Sequence, residues 1–487
     1  MRGGARGRRG GPGGGRRGGP EGLGARQALG RRAGRGRMTL QETAPVAPDT
    51  APRSGPVEPP HRATAWPEAR SRAARAGAEA HAARKGREPL GLPLGAALGR
   101  VLAGPLTALT DLPSFDTSAM DGWAVAGEGP WTVREEGAVL AGHAPAAALT
   151  EGEAVRIATG ARVPPGATAV VRTEHSRTEL SPAPPLLHAL REVRHRQDIR
   201  PRGQECRAGD ALLPAGTSVT PAVLGLAAAA GYDTLPVRPR PRVEVLVLGD
   251  ELLAAGLPHE GLIRDALGPM LGPWCEALGT EPVTTRRIGD DAEELYAAVA
   301  GSTADLLITT GGTAAGPVDH LHRVLDAAGA TLLVDGVKVR PGHPMLLARL
   351  TGPDGAVRHL VGLPGNPLAA VSGLLTLAEP LLAALRGTRH ATDVTGEARH
   401  VPAGDEIQGH PHDTRLVPVV LRAGQAVPLH YNGPAMLRGI AAADGLAVVP
   451  PHGARTGRPL EILGLPWTTA RTTTRPTGPA AQGACFT

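Results

Sequence analysis

Three stretches of the chain join short apolar runs to glycine turns, two of them carrying acids. Val243-Glu-Val-Leu-Val-Leu248 runs into Gly249-Asp250-Glu251. Leu306-Leu-Ile-Thr-Thr310 runs into Gly311-Gly312-Thr313-Ala314-Ala315-Gly316-Pro-Val-Asp319, with a helical pattern over 318–328. Gly362-Leu-Pro364-Gly365-Asn366-Pro367 opens an apolar stretch that lasts to Leu385. An apolar run that ends in glycine and turns into a helix reads as a buried parallel strand of an α/β sheet. The glycines let backbone come close to a bound group, and amides at a helix start attract anions. Asn366 has the N-cap position and Pro367 the first helical one. Three such loops at one sheet edge predict a crevice for a phosphorylated ligand. The acids beside them suit a metal ion better than the phosphates themselves.

The elements that must hold these loops follow from periodicity. Between residues 241 and 389 the pattern predicts helices near 262–278, 291–300, 317–328 and 367–385. Strands are predicted near 243–248, 282–287, 305–310, 331–339, 344–350 and 357–362, which makes a mostly parallel sheet. Upstream, residues 65–87 read as a helix, and 90–109 carry Leu94, Ala97, Leu98, Val101 and Leu102 at helical spacing. Asp111-Leu-Pro-Ser-Phe-Asp116-Thr-Ser118-Ala-Met-Asp121-Gly-Trp-Ala-Val125 is polar, turn-forming sequence rich in acids. From 133 to 195 short apolar runs alternate with Gly and Pro turns, as in a small β-rich domain. Thr159-Gly160 within it reads equally as a ligand loop or as a plain hairpin turn. Asp198-Ile-Arg200-Pro-Arg202-Gly-Gln-Glu205 reads as a salt-bridged turn, 221–230 as a helix, and the prolines of 236–241 as a boundary. Short β-like runs fill 390–467.

Composition narrows the function. Residues 1–40 hold eleven Arg and one Glu, +10 of a whole-chain +6, so residues 41–487 carry −4. The basic balance belongs to an Arg/Gly leader too poor in apolar residues to bury a core. It has no aromatic residues to stack on bases, so nucleic acid is not an expected partner, and no apolar segment of a secretory signal. It reads either as a disordered tail or as an extension upstream of a start at Met38. Cys206, Cys275 and Cys485 are far apart and unpaired by motif, which argues against a disulfide framework or a zinc site. No uninterrupted apolar run approaches the ~20 residues that span a bilayer. A cytoplasmic location is the expectation.

In order along the chain, these segments resemble the molybdopterin molybdenumtransferases, the MoeA family that includes the E domain of gephyrin. Phe115-Asp-Thr-Ser-Ala-Met-Asp-Gly-Trp123 is close to the family's FDxSAMDGYA. Arg156-Ile-Ala-Thr-Gly-Ala-Arg-Val-Pro164, Arg202-Gly-Gln-Glu205, Gly249-Asp-Glu-Leu252, the Gly311-Gly312 turn with Gly316 and Asp319, Arg340-Pro-Gly342 and Leu363-Pro-Gly-Asn-Pro367 follow. The resemblance implies a multidomain α/β fold: a central MoaB/MogA-like, mostly parallel sheet domain at 241–389, a β-rich domain at 113–205 inserted into a first domain of 65–112 and 206–240, and a C-terminal β domain at 390–467. Residues 1–64 are then leader and linker, 468–487 a tail, and the whole an elongated homodimer. It implies that adenylylated molybdopterin and molybdate are the substrates, with Mg2+ as cofactor and release of AMP. Asp250, Glu251 and Asp319 would be the metal ligands. Asp319, Glu251, Asp290, Asp121 and Glu205 would be catalytic, the last two reaching across the dimer. Asp116, Ser118, Thr159, Gly311, Gly312, Thr313, Arg340, Pro364, Gly365 and Asn366 would bind substrate.

The chain departs from the family pattern at several positions. Asp265-Ala266-Leu267 stands for the usual Asp-Ser-Asn, Ala314 and Ala315 for the serine region, Arg340 for Lys, His343 for Lys, Trp123 for Tyr and Glu205 for Asp. These changes are expected to crowd the ligand-binding face. They leave an alternative in view: a non-catalytic pterin-binding or scaffold paralogue of the same fold. For the leader the expectation is definite. A chain beginning at Met38 should match the full chain in melting temperature by calorimetry and in sedimentation, and a loss of several degrees would show that the Arg/Gly segment packs on the body.

Overall fold

In a computed structural model of the protein, residues 63–83, 88–135, 138–143, 147–181, 183–313, 320–352, 354–388 and 399–468 are described. The leader with Met38, Ala314, Ala315, Gly316, Asp319, Cys485 and the tail beyond 468 lie outside them.

Among the described residues, seven strands of four or more residues follow one another in the central region. They are β1 (Val243–Leu248), β2 (Thr284–Ile288), β3 (Leu306–Thr310), β4 (Thr331–Asp335), β5 (Val337–Arg340), β6 (Leu346–Thr351) and β7 (Val357–Leu363). The sheet order is β2-β1-β3-β7-β6-β4, with β2, β1, β3 and β7 parallel. β6 is antiparallel to β7, and β4 to β6. Side chains alternate between two cores, as the pleat requires. Leu306 and Ile308 of β3 face a core shared with α1 (Trp66–Ala83), α2 (Gly268–Ala277) and the run Pro367–Leu385. Leu307 faces the other, under α3 (Ala292–Gly301) and α4 (Leu321–Ala327). The run Pro367–Leu385 is α5 (Pro367–Gly373), a π turn (Leu374–Ala378) and α6 (Glu379–Leu385). It is apolar and long enough to cross a membrane, but most of it is buried inside the fold, as a core helix would be.

Two expectations are corrected. Residues 331–339 are two strands: Gly336, at φ 72°, breaks them, and β5 leaves the central sheet to pair in parallel with Thr64–Ala65 and Thr414–Arg422. Residues 90–109 are not one helix. Gly91, Gly95, Gly99, Gly104, Pro93 and Pro105 interrupt the apolar spacing, leaving a strand at Leu90–Pro93, one turn at Leu94–Ala97 and a strand at Leu106–Thr107. Those strands pair with Thr234–Val237 and Ala211–Leu213, around the helix Pro221–Ala229. α1 packs along α6 and adds Trp66, Ala69, Ala73, Ala76 and Ala80 to the core of the central sheet. Its small residues allow a close approach, since a Cβ on Gly77 would stand 2.3 Å from the Leu381 carbonyl oxygen.

Among the described residues, the β-rich region is a sheet ordered Ala169–Arg172, Gly122–Val125, Glu153–Ile157, Trp131–Val133, Leu186–Ala189, Ser176–Glu179. The C-terminal sheet continues from β5 through Thr414–Arg422, Gly445–Val449, Pro459–Gly464 and His400–Pro402. Cys206 and Cys275 are buried free thiols, and burial pushes Cys275 up to about 12.

The π turn offers α1 a backbone carbonyl and a side-chain hydroxyl. Arg70 donates to the Leu375 carbonyl and lies 3.7 Å from Glu379, while Trp66 Nε1 donates to Thr376 Oγ1 at 3.1 Å. Burial pushes the Glu379 carboxyl above the usual range, and Arg70 opposes that shift. A raised carboxyl contributes stability that is full below its unfolded pKa and declines as pH rises through the folded one. Glu379→Gln is therefore expected to flatten that decline and to match or exceed the wild type at pH 8. Arg70→Met should steepen it and cost about 3 kcal/mol, as losing one partner of a buried pair does. Urea midpoints at pH 5 and pH 8 check both.

Candidate active site

The carboxyl ends of β2, β1, β3 and β7 are level with one another. Leu248 pairs with Ile288, Val247 with Thr310, and Thr310 with Leu363, so the turns that follow stand side by side. Gly311 and Gly312 have φ of 87° and 63°, which any side chain would strain. The Gly311 amide donates to the Leu363 carbonyl at 2.8 Å, and a Cβ on Gly365 would stand 3.8 Å from Gly311 Cα. The 311–312 turn and the 364–365 turn thus touch. On the other side Asp250 lies against the next turn, its Oδ1 2.8 Å from where a Gly289 Cβ would be. Glu251 folds back over Gly249. Asp250, Glu251 and Asp290 are exposed and have no hydrogen-bonded side-chain partner among the described residues. Asp291 beside them caps α3, accepting from Glu293 and Glu294 amides at 2.7 and 3.1 Å.

Pro364 is buried beneath the last turn, while Gly365 and Asn366 are exposed. Asn366 stands at the N-cap of α5, but its side chain makes no capping bond. The next amides are already taken: Leu368 and Ala369 donate to the Pro434 carbonyl at 2.9 and 3.2 Å. That leaves the amides of Gly365 and Asn366 as the loop's donors. Thr313 is buried, its methyl packed under Gly362.

Several expected ligand groups are engaged elsewhere. Arg340 Nε donates to Asp413 Oδ2 at 2.9 Å, so its charge is met by a buried acid of the C-terminal sheet. Ser118 is fully buried and its hydroxyl donates to the Met120 carbonyl at 2.6 Å, which closes the loop and offers nothing outward. Asp116 accepts from Arg196 Nη2 at 2.8 Å and from the Arg202 amide at 2.7 Å. Asp121 accepts from the Thr159 amide and hydroxyl at 2.7 and 2.9 Å, bonds that hold its carboxyl below the usual range. Asp121, Thr159 and Glu205 are all exposed on the 113–205 segment, and no hydrogen bond joins them to the edge of the central sheet. Among the described residues no three His, Cys, Asp or Glu side chains gather as a metal site. Asp319, the third expected ligand, lies outside that set.

The Asp265-Ala266-Leu267 departure has a structural explanation. Leu267 is buried in the core under β1 and does not crowd a ligand face. Asp265, also buried, accepts from the Leu267 and Gly268 amides at 3.0 and 2.9 Å and from Arg287 at 2.6 Å, so it starts α2. His343 bonds the Val337 carbonyl through Nδ1 at 2.8 Å. Asp413, Pro434 and the Asp265–Arg287 pair went unnoticed in the sequence, because each acts on a partner far along the chain with no spacing to mark it.

The family descriptions match nearly the whole described fold. "MoeA N-terminal region (domain I and II)" covers 67–231, "Probable molybdopterin binding domain" 244–384, and "MoeA C-terminal region (domain IV)" 400–465. The chain is 34% identical over 386 residues to "Molybdopterin molybdenumtransferase 2" of Mycobacterium tuberculosis, covering 74% of this chain and 91% of that one. It is 31% identical over 385 residues to "Molybdopterin molybdenumtransferase" of Bacillus subtilis, covering 75% and 87%. The crystal structure of the molybdopterin biosynthesis moeA protein from Pyrococcus horikoshii OT3 superposes with a TM-score of 0.66 at 23% identity, over 82% of this chain and 99% of that one. That likeness establishes a shared multidomain α/β fold. The relatives go further, and the chain belongs to the molybdopterin molybdenumtransferase (MoeA) family.

At Asp265, charge and capping are separable. Asp265→Asn keeps an acceptor for the helix amides but loses the Arg287 pair, at an expected cost of about 1–3 kcal/mol. Asp265→Ala should add about 1 kcal/mol more for the lost cap. Denaturant unfolding of both variants checks the order.

Proposed function

We propose that the protein is a transferase of molybdenum cofactor biosynthesis, inserting molybdenum from molybdate into adenylylated molybdopterin with release of AMP. The observation that carries this reading is the crevice where the 311–312 and 364–365 turns touch beside the free acids Asp250, Glu251 and Asp290. Gly311 and Gly312 give the ligand close access to backbone. The Gly365 and Asn366 amides, with the uncommitted Asn366 side chain, bind phosphate oxygens. Asp290 lines the crevice and orients the ligand's polar groups.

The donor set fits Mg2+. Exposed, unpartnered carboxylates are the hard oxygen ligands this ion takes, usually one or two of them together with substrate phosphates. Asp250 and Glu251, with Asp319, would hold it, and it would neutralise charge on the phosphoanhydride. In this reading Arg340 acts on ligand charge only when released from Asp413. Asp121, Thr159 and Glu205 complete the site from a second subunit of a homodimer. The first domain is 65–112 with 206–240, the inserted one 113–205, and the enzyme works in the cytoplasm.

Complementation of a strain lacking its own molybdenumtransferase is the test, scored by the activity of a molybdenum enzyme. The wild-type chain should restore that activity. Asp319→Asn keeps size and helix-capping ability, and should fold normally and bind adenylylated pterin. Its insertion rate should fall by on the order of 10²-fold, ~2.7 kcal/mol in the barrier. A folded wild type that binds pterin without restoring activity would establish a scaffold instead, and full AMP release by the Asn variant would remove Asp319 from the site.

A further inference from the structure

Arg100, Arg238, Arg240 and Arg386 line a small pocket, together with Gly99, Val101 and Pro239. The arginines come from the 90–109 segment, from the proline-rich connection into β1, and from the residue after α6. Most of their partners are neutral. Arg238 donates to the carbonyls of Arg386 and Gly387 at 3.4 and 2.9 Å. Arg386 donates to those of Leu278 and Gly99 at 2.7 and 3.4 Å. Arg100 pairs with Glu281 at 3.0 Å. Among the described residues Arg240 has no carboxylate or carbonyl acceptor, and its Nε is buried without a hydrogen bond.

A guanidinium stays charged under all ordinary conditions, so the cluster cannot relieve itself by losing protons. Burial and then repulsion from Arg100 weaken proton binding at Arg240, opposed by Glu281, and burial with repulsion from Arg240 and Arg100 weakens it at Arg386. An unpaired charge that is partly desolvated is costly, and among the described residues Glu281 forms an ion pair with Arg100 alone of the four. The planar fork of arginine matches an oxyanion, two bonds at a time. The pocket is far smaller than the ~300–1,000 Å³ clefts that hold drug-sized molecules, so a nucleotide or a pterin does not fit it.

We propose that this pocket binds one small tetrahedral oxyanion of the phosphate or sulfate type, which staples the first domain to the central sheet. It is distinct from the crevice at the carboxyl edge. The two lie at opposite ends of the 19-residue run Pro367–Leu385, roughly 28 Å apart at ~1.5 Å per residue.

The test is thermal unfolding of the full chain at pH 8, with sodium chloride replaced by sodium phosphate, or by sodium sulfate, at constant ionic strength. Isothermal titration calorimetry with phosphate runs alongside. The wild type should show a saturable rise in melting temperature of several degrees and one binding event assigned to this pocket. Arg240→Gln should lose that rise and that event. In chloride alone it should melt at or above the wild-type temperature, because one repelling charge is gone. Arg240→Lys keeps the charge but not the fork, and should bind about tenfold or more weakly. No phosphate-specific rise in the wild type overturns the proposal, as does a rise that Arg240→Gln retains, since that anion sits elsewhere. An Arg240→Gln variant that melts lower in chloride, or fails to fold, also overturns it, because Arg240 is then held by protein contacts. Equal shifts with sulfate and phosphate identify shape and charge as the recognised features, and a shift with phosphate alone identifies a phosphoryl group.

Discussion

Leu306–Thr310 touches solvent nowhere: its five residues are all buried. A strand enclosed on both faces must be apolar, and flanked on both edges it must place its amides and carbonyls in the ladder. β1 on one side and β7 on the other meet that demand with parallel pairing. Parallel pairing requires that every strand end at the same edge, and the crevice follows from it. The glycines at 311 and 312 are how a strand so confined turns out of the sheet, through φ of 87° and 63° that other residues rarely adopt. The acids on the neighbouring turns then stand at the edge where those strands end.

That much could be read in the residues. β1 appears at the expected limits, β3 and β7 within a residue of theirs, and Asn366 and Pro367 start α5 as spacing says they should. Buried parallel strands are continuous apolar runs between turn residues, and such runs are hard to mistake. Amphipathic order is less informative, because periodicity reports that a face is buried and not against what. The alanine face of α1 is plain in the sequence, yet it packs on a helix some 300 positions downstream, as the Trp66–Thr376 bond shows (a separation of 310). The 90–109 segment misled for another reason, since its leucines keep helical spacing while its glycines and prolines forbid the helix.

The candidate site was legible in outline but not in its commitments. Asp250, Glu251 and the two glycines are where the turns place them, because the strand they follow decides that locally. Whether a polar group is free for a ligand is decided by distant partners. Arg340 looks like a ligand-binding cation until Asp413, 73 residues away, is found beside it. Ser118 sits in the most distinctive motif of the chain and spends its hydroxyl on its own loop. Leu267 has a similar lesson, for a departure that reads as damage to a ligand face is a core residue in the structure.

The Pro434 carbonyl, placed over the Leu368 and Ala369 amides, bears on how this chain can be divided. A cut just after residue 388 would look harmless, since it severs none of the described helices or strands. It would nevertheless strip the α5 start of its acceptor, remove Asp413 from Arg340, and leave β5 without the strand at Thr414–Arg422. The excised central region would not be a smaller copy of the same part. Its helix start would gain two free donors and its edge a free cation, so it would bind anions more readily than the intact protein does. Chimaeras between relatives face the same constraint: a transplanted C-terminal sheet must bring its own carbonyl and its own acid to these positions.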